Sequence, residues 1–126
     1  MHSLMRQSLS GGIEFIFVND RSTDASEAVL QAVVSSYPQR RDQVTVLRND
    51  INRGSAYSRQ RGVDAASGEF VIHCDADDWV DAEMYGTMLR VADSTGADVV
   101  CTPYYLEKGK GRCDTVGFPS LDYPQL

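Results

Sequence analysis

The sequence lacks several features that would assign a protein to a class at once. Its three cysteines form no C-x-x-C pair, so neither a zinc site nor a disulfide framework is indicated, and free thiols in a reducing cytoplasm fit this usage. A transmembrane helix needs about 18 consecutive apolar residues, and no such run is present. Residues 1–10 contain no continuous apolar stretch of the kind found in signal peptides. These absences predict a cytoplasmic protein.

An excess of basic residues is also missing. The formal net charge is −6, which argues against nucleic acid as the main partner, because phosphate backbones are bound by basic patches. Six of the 18 acidic residues follow the ends of two predicted strands: Asp20, Asp24, Asp75, Asp77, Asp78 and Asp81. The acidity is therefore concentrated where a ligand would bind.

Apolar runs alternate with helical patterns along the chain. Strands are predicted at residues 13–18, 44–47, 69–74 and 97–102, and helices at 25–37, 55–66 and from Asp81 to about Gly96. Residues 2–9 fit the last turns of a further helix, and 103–126 fit an irregular tail or a broken hairpin. This alternation predicts an α/β fold with a mainly parallel sheet and flanking helices.

The helix predicted at 25–37 has a start signal and an apolar stripe. Asp24, with Glu27 three positions later, resembles a capping arrangement. The stripe is expected at Ala28, Val29, Ala32 and Val33.

The predicted strand 69–74 runs into three carboxylates, in the stretch F-V-I-H-C-D-A-D-D-W at residues 70–79. In open α/β sheets the ligand crevice lies beyond the carboxyl ends of the strands. Two carboxylates about 4 Å apart repel by roughly 4 kcal/mol at an effective dielectric near 20, and protonation or a cation would relieve that repulsion. Oxygen ligands suit Mg²⁺ or Mn²⁺, and Mg²⁺ binds through one or two carboxylates plus substrate phosphates. This favours a metal that bridges Asp77 and a diphosphate.

A structural alternative exists for the same acids. They can solvate the end of a strand, while Asp81 caps the helix that follows. An isolated D-x-D is common, and taken alone it favours this alternative.

Three stretches, taken together, carry a family resemblance. These are E-F-I-F-V-N-D-R-S-T-D at 14–24, N-D-I-N-R-G-S-A-Y-S-R-Q-R-G-V at 49–63, and A-S-G-E-F-V-I-H-C-D-A-D-D-W at 66–79. They are similar to a strand ending in an acidic pair, to Asn-x-Gly-x-x-x-Ala-Arg-Asn-x-Gly, and to a Gly-Glu-Tyr strand followed by D-x-D-D. All three patterns belong to the inverting family 2 glycosyltransferases. In this order and spacing they form a strong signal, and the resemblance covers roughly residues 3–105.

The resemblance implies a partial GT-A, Rossmann-like nucleotide-sugar-binding domain at residues 1–105, with an irregular tail at 106–126 that starts the acceptor-binding part. It implies transfer from a nucleotide-diphospho-sugar, a UDP-sugar in particular, to an acceptor hydroxyl with inversion. The cofactor would be Mn²⁺ or Mg²⁺. The acceptor would be a saccharide or a lipid-linked molecule, in polysaccharide biosynthesis at the inner face of the membrane.

The same resemblance implies roles for individual residues. Asp20 matches the acid that accepts a hydrogen bond from a ring N–H of uracil. Asp75 matches the acid near the ribose, and Asp77 the acid that meets the metal on the diphosphate, with Asp75 as its second ligand. Arg59 matches an arginine that faces the nucleotide pocket, and pairing with a surface acid is its equally open alternative.

The departures from the family pattern are of two kinds. Asn19, Arg21 and Gln60 replace the first acid of the pair, a glycine and an asparagine, which are mild changes. The family's first strand and its catalytic carboxylate base have no match, so we expect them before Met1 and beyond Leu126. The chain alone is then expected to be inactive. Its strand at 13–18 would keep an open edge through which copies self-associate.

Two other functions stay open from the residues. One is a binding remnant that holds a nucleotide without turning it over. The other is a phosphatase of the haloacid-dehalogenase type with Asp75 as nucleophile. That second pattern calls for Thr or Val where Trp79 stands, and it leaves the stretch 49–63 without an explanation.

Overall fold

The computed structural model describes residues 1–108 and 112–117, and the chain divides into two compact units, Met1–Gly86 and Thr87–Leu126. The helices are α1 His2–Met5, α2 Ser26–Ser35, α3 Ser55–Ala65 and α4 Met84–Thr95, with a 3₁₀ helix at Pro38–Gln43. The strands are β1 Phe15–Asn19, β2 Val44–Arg48, β3 Tyr104–Lys108 and β4 Arg112–Val116. The predicted α/β class, with a parallel sheet and flanking helices, is confirmed.

The element that positions the site is the parallel pair β1 and β2. Their register runs from Phe15 opposite Val44 to Asn19 opposite Arg48, so both strands end at the same edge. Helix α3 returns along β1, and a Cβ added at Gly62 would lie 3.6 Å from Val18. The loop at 49–54 therefore connects the carboxyl end of β2 to a helix that packs on β1.

The core of the first unit lies beneath this pair of strands. Met5, Phe15 and Val33 are buried together. In α2 the buried side chains are Leu30 and Val33, while three members of the predicted stripe, Ala28, Val29 and Ala32, are exposed. The stripe prediction was wrong except at Val33, because α2 turns the i, i+3 face that begins at Leu30 toward β1 and β2.

The strands predicted at 69–74 and 97–102 are not formed. Residues 71–75 have no secondary structure, and Phe70, Val71 and Ile72 are 44%, 50% and 45% exposed. Among the described residues β1 pairs with β2 alone. A strand needs a neighbour for its backbone N–H and C=O groups, and no described strand lies beside either segment.

The starts of two helices also differ from expectation. Asp24 Oδ1 accepts the Ser26 N–H at 2.9 Å, but the cap position is Ala25 and no side-chain cap bond forms. Helix α4 begins at Met84 rather than Asp81, whose carboxylate instead accepts the Glu83 N–H at 2.9 Å in the preceding turn.

Of the two alternatives for residues 103–126, the described part adopts the hairpin. Strands β3 and β4 pair antiparallel, with Tyr104 opposite Val116. The rest of the predicted tail, 109–111 and 118–126, lies outside the described residues, and the boundary at 105/106 stays a prediction. Within the described ranges, no helix combines the length and the apolar character that crossing a membrane requires.

Candidate functional site

Asp20 closes the carboxyl end of β1 with three hydrogen bonds. Its Oδ1 accepts from Asn49 Nδ2 at 2.7 Å and from the Arg53 N–H at 2.8 Å, and its Oδ2 accepts from the Gly54 N–H at 2.7 Å. The pKa of Asp20 is lowered from its ordinary value, chiefly by the Asn49 amide, because these donors stabilise the charged form. The carboxylate thus fastens the loop 49–54 to the end of β1.

Asn49 is the buried centre of this cluster, with 2% of its surface exposed. Its backbone N–H donates to the Asn19 carbonyl at 2.9 Å, and its Nδ2 also donates to Ser58 Oγ at 3.0 Å. Its Oδ1 accepts from Arg61 Nη1 at 2.5 Å. Every polar atom of its side chain therefore has a partner, which is the condition for burying an amide. Sequence reasoning missed this residue.

The start of α3 depends on backbone geometry that glycine permits. Gly54 precedes the helix with φ +84° and ψ 169°, a region essentially restricted to glycine. Its carbonyl accepts the Ser58 N–H at 3.1 Å. Arg21, at the position where the family pattern has glycine, takes a left-handed φ of +58° and donates from Nη1 to the Asp50 carbonyl at 2.8 Å. The loop is thus held by β1 and by the turn that follows β1.

Arg59 and Asp75 form an ion pair, with Arg59 Nη2 2.7 Å from Asp75 Oδ1. The hydrogen bond and the charge of Asp75 raise the pKa of Arg59. About half of each side chain is exposed, 48% for Arg59 and 55% for Asp75, so the pair is screened by solvent and adds little to stability. The alternative given for Arg59, pairing with an acid, is what the structure contains, and the acid is itself a predicted site residue.

Asp77 and Asp78 follow in an exposed turn, closed by a hydrogen bond from the Asp78 N–H to the Asp75 carbonyl at 3.1 Å. Within residues 1–108 and 112–117, neither carboxylate has a hydrogen bond or ion pair. The same ranges contain no group of three or more His, Cys, Asp or Glu side chains that could hold a metal ion. Two carboxylates with open oxygens still suit a hard cation that takes its other ligands from water and substrate phosphates.

Cys74 precedes the acidic turn, and its environment does not favour the reactive thiolate form. Burial, followed by the charge of Asp78, raises the pKa of its thiol. Burial likewise raises the pKa of the neighbouring Tyr85 to about 12. Both groups therefore stay protonated near neutral pH, and Cys74 acts here as a packing residue.

The two halves of the predicted site are attached to consecutive residues of α3. Asp20 reaches Ser58 through the Asn49 side chain, and Asp75 pairs with Arg59. Adjacent Cα atoms are about 3.8 Å apart, so one turn of helix connects the acid at the end of β1 with the acidic turn at 75–78. A parallel α/β sheet with a polar cluster beyond the carboxyl end of a strand, where Asp20 lies, is the architecture in which nucleotide-binding proteins place their ligand crevice.

Comparison with known proteins agrees with this class. The sequence profile of the family "Glycosyl transferase family 2" matches residues 1–116. The chain is 35% identical over 99 residues to the uncharacterized glycosyltransferase YibD of Escherichia coli, covering 79% of the chain and 27% of that relative. It is 33% identical to glycosyltransferase GlyG of Streptococcus pneumoniae, covering 74% of the chain and 30% of that relative. It is also 33% identical to the succinoglycan biosynthesis protein ExoO of Rhizobium meliloti, covering 69% and 23%.

This chain belongs to glycosyltransferase family 2, as its three motifs indicated. The family match removes the phosphatase alternative for Asp75. The chain spans less than a third of each of these relatives, between 23% and 30% of their length.

Proposed function

We propose that this chain supplies the nucleotide-sugar-binding part of a glycosyltransferase that moves a sugar from a UDP-sugar to an acceptor hydroxyl with inversion. The observation that carries the proposal is the attachment of Asp20 and Asp75 to consecutive residues of α3, Ser58 through Asn49 and Arg59 directly. This arrangement supports a single nucleotide site at the carboxyl edge of the sheet. The cytoplasmic location expected from the cysteine usage belongs to the same proposal.

A divalent ion, Mn²⁺ or Mg²⁺, is part of the proposal. Asp77 would hold it, with Asp75 as second ligand through the oxygen that Arg59 leaves open. When bound, such an ion neutralises the charge that builds on the leaving diphosphate. Arg59 donates to Oδ1 of Asp75 at 2.7 Å and so ties the first residue of the acidic turn to α3.

The acceptor and the catalytic base are proposed from the name of one relative and from the requirements of the displacement reaction. A single displacement needs a base that takes the proton of the acceptor hydroxyl, and we assign that base to no residue of this chain. ExoO is named for succinoglycan biosynthesis, and we propose a saccharide or lipid-linked acceptor in the assembly of a polysaccharide. The chain alone then binds donor without transferring sugar.

Calorimetric titration with UDP and Mn²⁺ tests the metal site. Removing the Asp77 carboxylate deletes a metal ligand, so Asp77→Ala is expected to weaken metal-dependent UDP binding at least about tenfold, the loss of one charge-assisted interaction. Asp42→Ala removes an equal charge from the 3₁₀ helix, at the opposite end of β2, and serves as the matched control. UDP binding that is unchanged in Asp77→Ala, or equally strong without metal, would contradict the proposed role.

An assay of sugar transfer distinguishes an enzyme from a remnant that only binds the nucleotide. The 126-residue chain and the complete reading frame that encodes it are each given UDP-sugars and an acceptor extract. We expect transfer by the complete frame alone. Transfer by the short chain would show that it contains its own base, and its absence in both would favour a remnant.

A further inference from the structure

Arg53 is the one arginine around the candidate site whose side chain has no acceptor within the described part of the chain. Its exposed guanidinium carbon lies 4.8 Å from the centre of the Tyr57 ring. The neighbouring arginines are all engaged: Arg21 with the Asp50 carbonyl, Arg48 with Glu27, Arg59 with Asp75, and Arg61 with Asn49 and the Arg48 carbonyl. Arg53 therefore holds a set of N–H donors that no described group uses.

The backbone of Arg53 is fixed at the carboxyl edge of the sheet. Its N–H donates to Asp20 Oδ1 at 2.8 Å, and the N–H of Gly54 donates to Asp20 Oδ2 at 2.7 Å. The Asp20 carboxylate therefore holds two successive peptide groups in place. The Cα of Arg53 thus stays beside the end of β1, even though the residue lies in a loop.

The side chain of Arg53 is directed as well. Tyr57 is the third residue of α3, so an arginine stacked on its ring lies along the first turn of that helix. Stacking leaves the edge of the guanidinium plane, where all five N–H donors lie, open to a ligand. The start of α3 has no side-chain cap bond, so its first N–H groups and its partial positive charge face the same region.

We propose that Arg53 binds the diphosphate of the nucleotide-sugar donor through its guanidinium, with Tyr57 as the platform that orients it. Guanidinium donors match phosphate oxygens in pairs, and such charge-assisted bonds are among the strongest in proteins. The inference rests on the proposed function and assigns to Asp20 the task of positioning Arg53. In a chain of net charge −6, one uncommitted cation at this edge supplies charge that a doubly phosphorylated ligand requires.

Titration of UDP and of uridine at a fixed Mg²⁺ concentration tests this assignment. Arg53→Ala is expected to weaken UDP binding about 10- to 100-fold and to leave uridine binding unchanged, since uridine has no phosphate. Arg53→Lys keeps the charge but loses the planar fork, and an intermediate affinity for UDP is expected. Arg41→Ala, on the 3₁₀ helix at the amino end of β2, removes an equal charge and should bind both ligands as wild type does.

Two results would overturn the assignment, and they are distinguishable. UDP affinity equal to wild type in both Arg53→Ala and Arg53→Lys would remove Arg53 from the diphosphate site while the proposed function stands. A wild-type chain that binds neither UDP nor uridine would remove the proposed function itself and this inference with it. Tyr57→Phe retains the ring and should match wild type, whereas Tyr57→Ala should weaken UDP binding alone.

Discussion

At the scale of single residues, Asp20 is tied to the protein more tightly than sequence reasoning foresaw. Both of its oxygens accept hydrogen bonds from residues 49–54. Its proposed contact with a uracil N–H therefore has to share oxygens that already hold this loop. Its assignment to the base stays a prediction, and its effect on loop position is a second reason for its importance.

The lowered pKa of Asp20 gives a prediction about acid stability. A group with a lowered folded-state pKa stabilises the fold at pH values above its unfolded pKa of about 3.8, and this contribution is lost as the pH falls through the lower folded-state value. Asp20→Asn should thus be less stable than wild type near pH 7, and the difference should shrink below pH 3.8. Urea unfolding at several pH values measures this.

The matched control for that series is Asp42→Asn, which removes a carboxylate with no hydrogen bond in the described ranges. It should follow the wild-type profile. A stability difference for Asp20→Asn that stays constant from pH 7 to pH 3 would show that the charged carboxylate does not hold the loop.

Some residue contacts could be read from the sequence and others could not. The pairing of Arg59 with an acid was one of two stated alternatives, because an exposed arginine near several carboxylates finds one readily. Asn49 and Arg53 could not be singled out, since residues 48–54 contain two asparagines and two arginines. Which of them turns inward is decided by tertiary contacts with β1 and α3.

At the scale of elements, the parallel pair and the long helices were predictable, whereas the strand predicted at 69–74 is not formed. Residues 13–18 and 44–47 are apolar runs, and they pair in parallel as β1 and β2. Residues 69–74 have an equally strong strand pattern, but pairing is a property of two segments, and no described segment pairs with them. A sequence pattern reports propensity, while a strand also requires a partner.

Two glycines of the α3 region should respond to alanine with opposite sign. Gly54→Ala places a Cβ in a backbone conformation that only glycine adopts without strain, so a loss of about 1–3 kcal/mol of unfolding free energy is expected. Gly62→Ala adds a Cβ at an ordinary contact distance of 3.6 Å from Val18 and gains about 0.5–1 kcal/mol from helix propensity. Thermal unfolding of both variants measures the two changes in unfolding free energy. If both variants were stabilised, or both destabilised to the same extent, the glycine-specific backbone would not be what starts α3.

At the scale of the whole molecule, the first unit contains both exposed apolar side chains and an open strand edge. Phe70, Val71 and Ile72 are all close to half exposed, and β1 pairs on one side only among the described strands. Such edges favour pairing with another chain. We therefore expect the isolated chain to self-associate, with a sedimentation coefficient that rises with concentration.

A charge placed on this apolar surface should oppose association. Val71→Lys replaces an exposed apolar side chain with a charged one and so reduces the apolar surface open to another chain, and it is expected to shift the sedimentation profile toward monomer. Val99→Lys is the control, since Val99 is 76% exposed and belongs to the second unit. A wild-type chain that sediments as a monomer at all concentrations would contradict the expectation.

We expect one nucleotide to be bound jointly by the end of β1, the loop 49–54, the first turn of α3 and the turn 75–78. The most direct measurement is the amide NMR spectrum of the labelled chain titrated with UDP and Mg²⁺. We expect the amide signals of Asp20, Gly54, Arg59 and Asp77 to shift with one common dissociation constant and those of the 3₁₀ helix 38–43 to stay in place. Shifts at the acidic turn alone, or with a different constant from those at Asp20 and Gly54, would contradict a shared site.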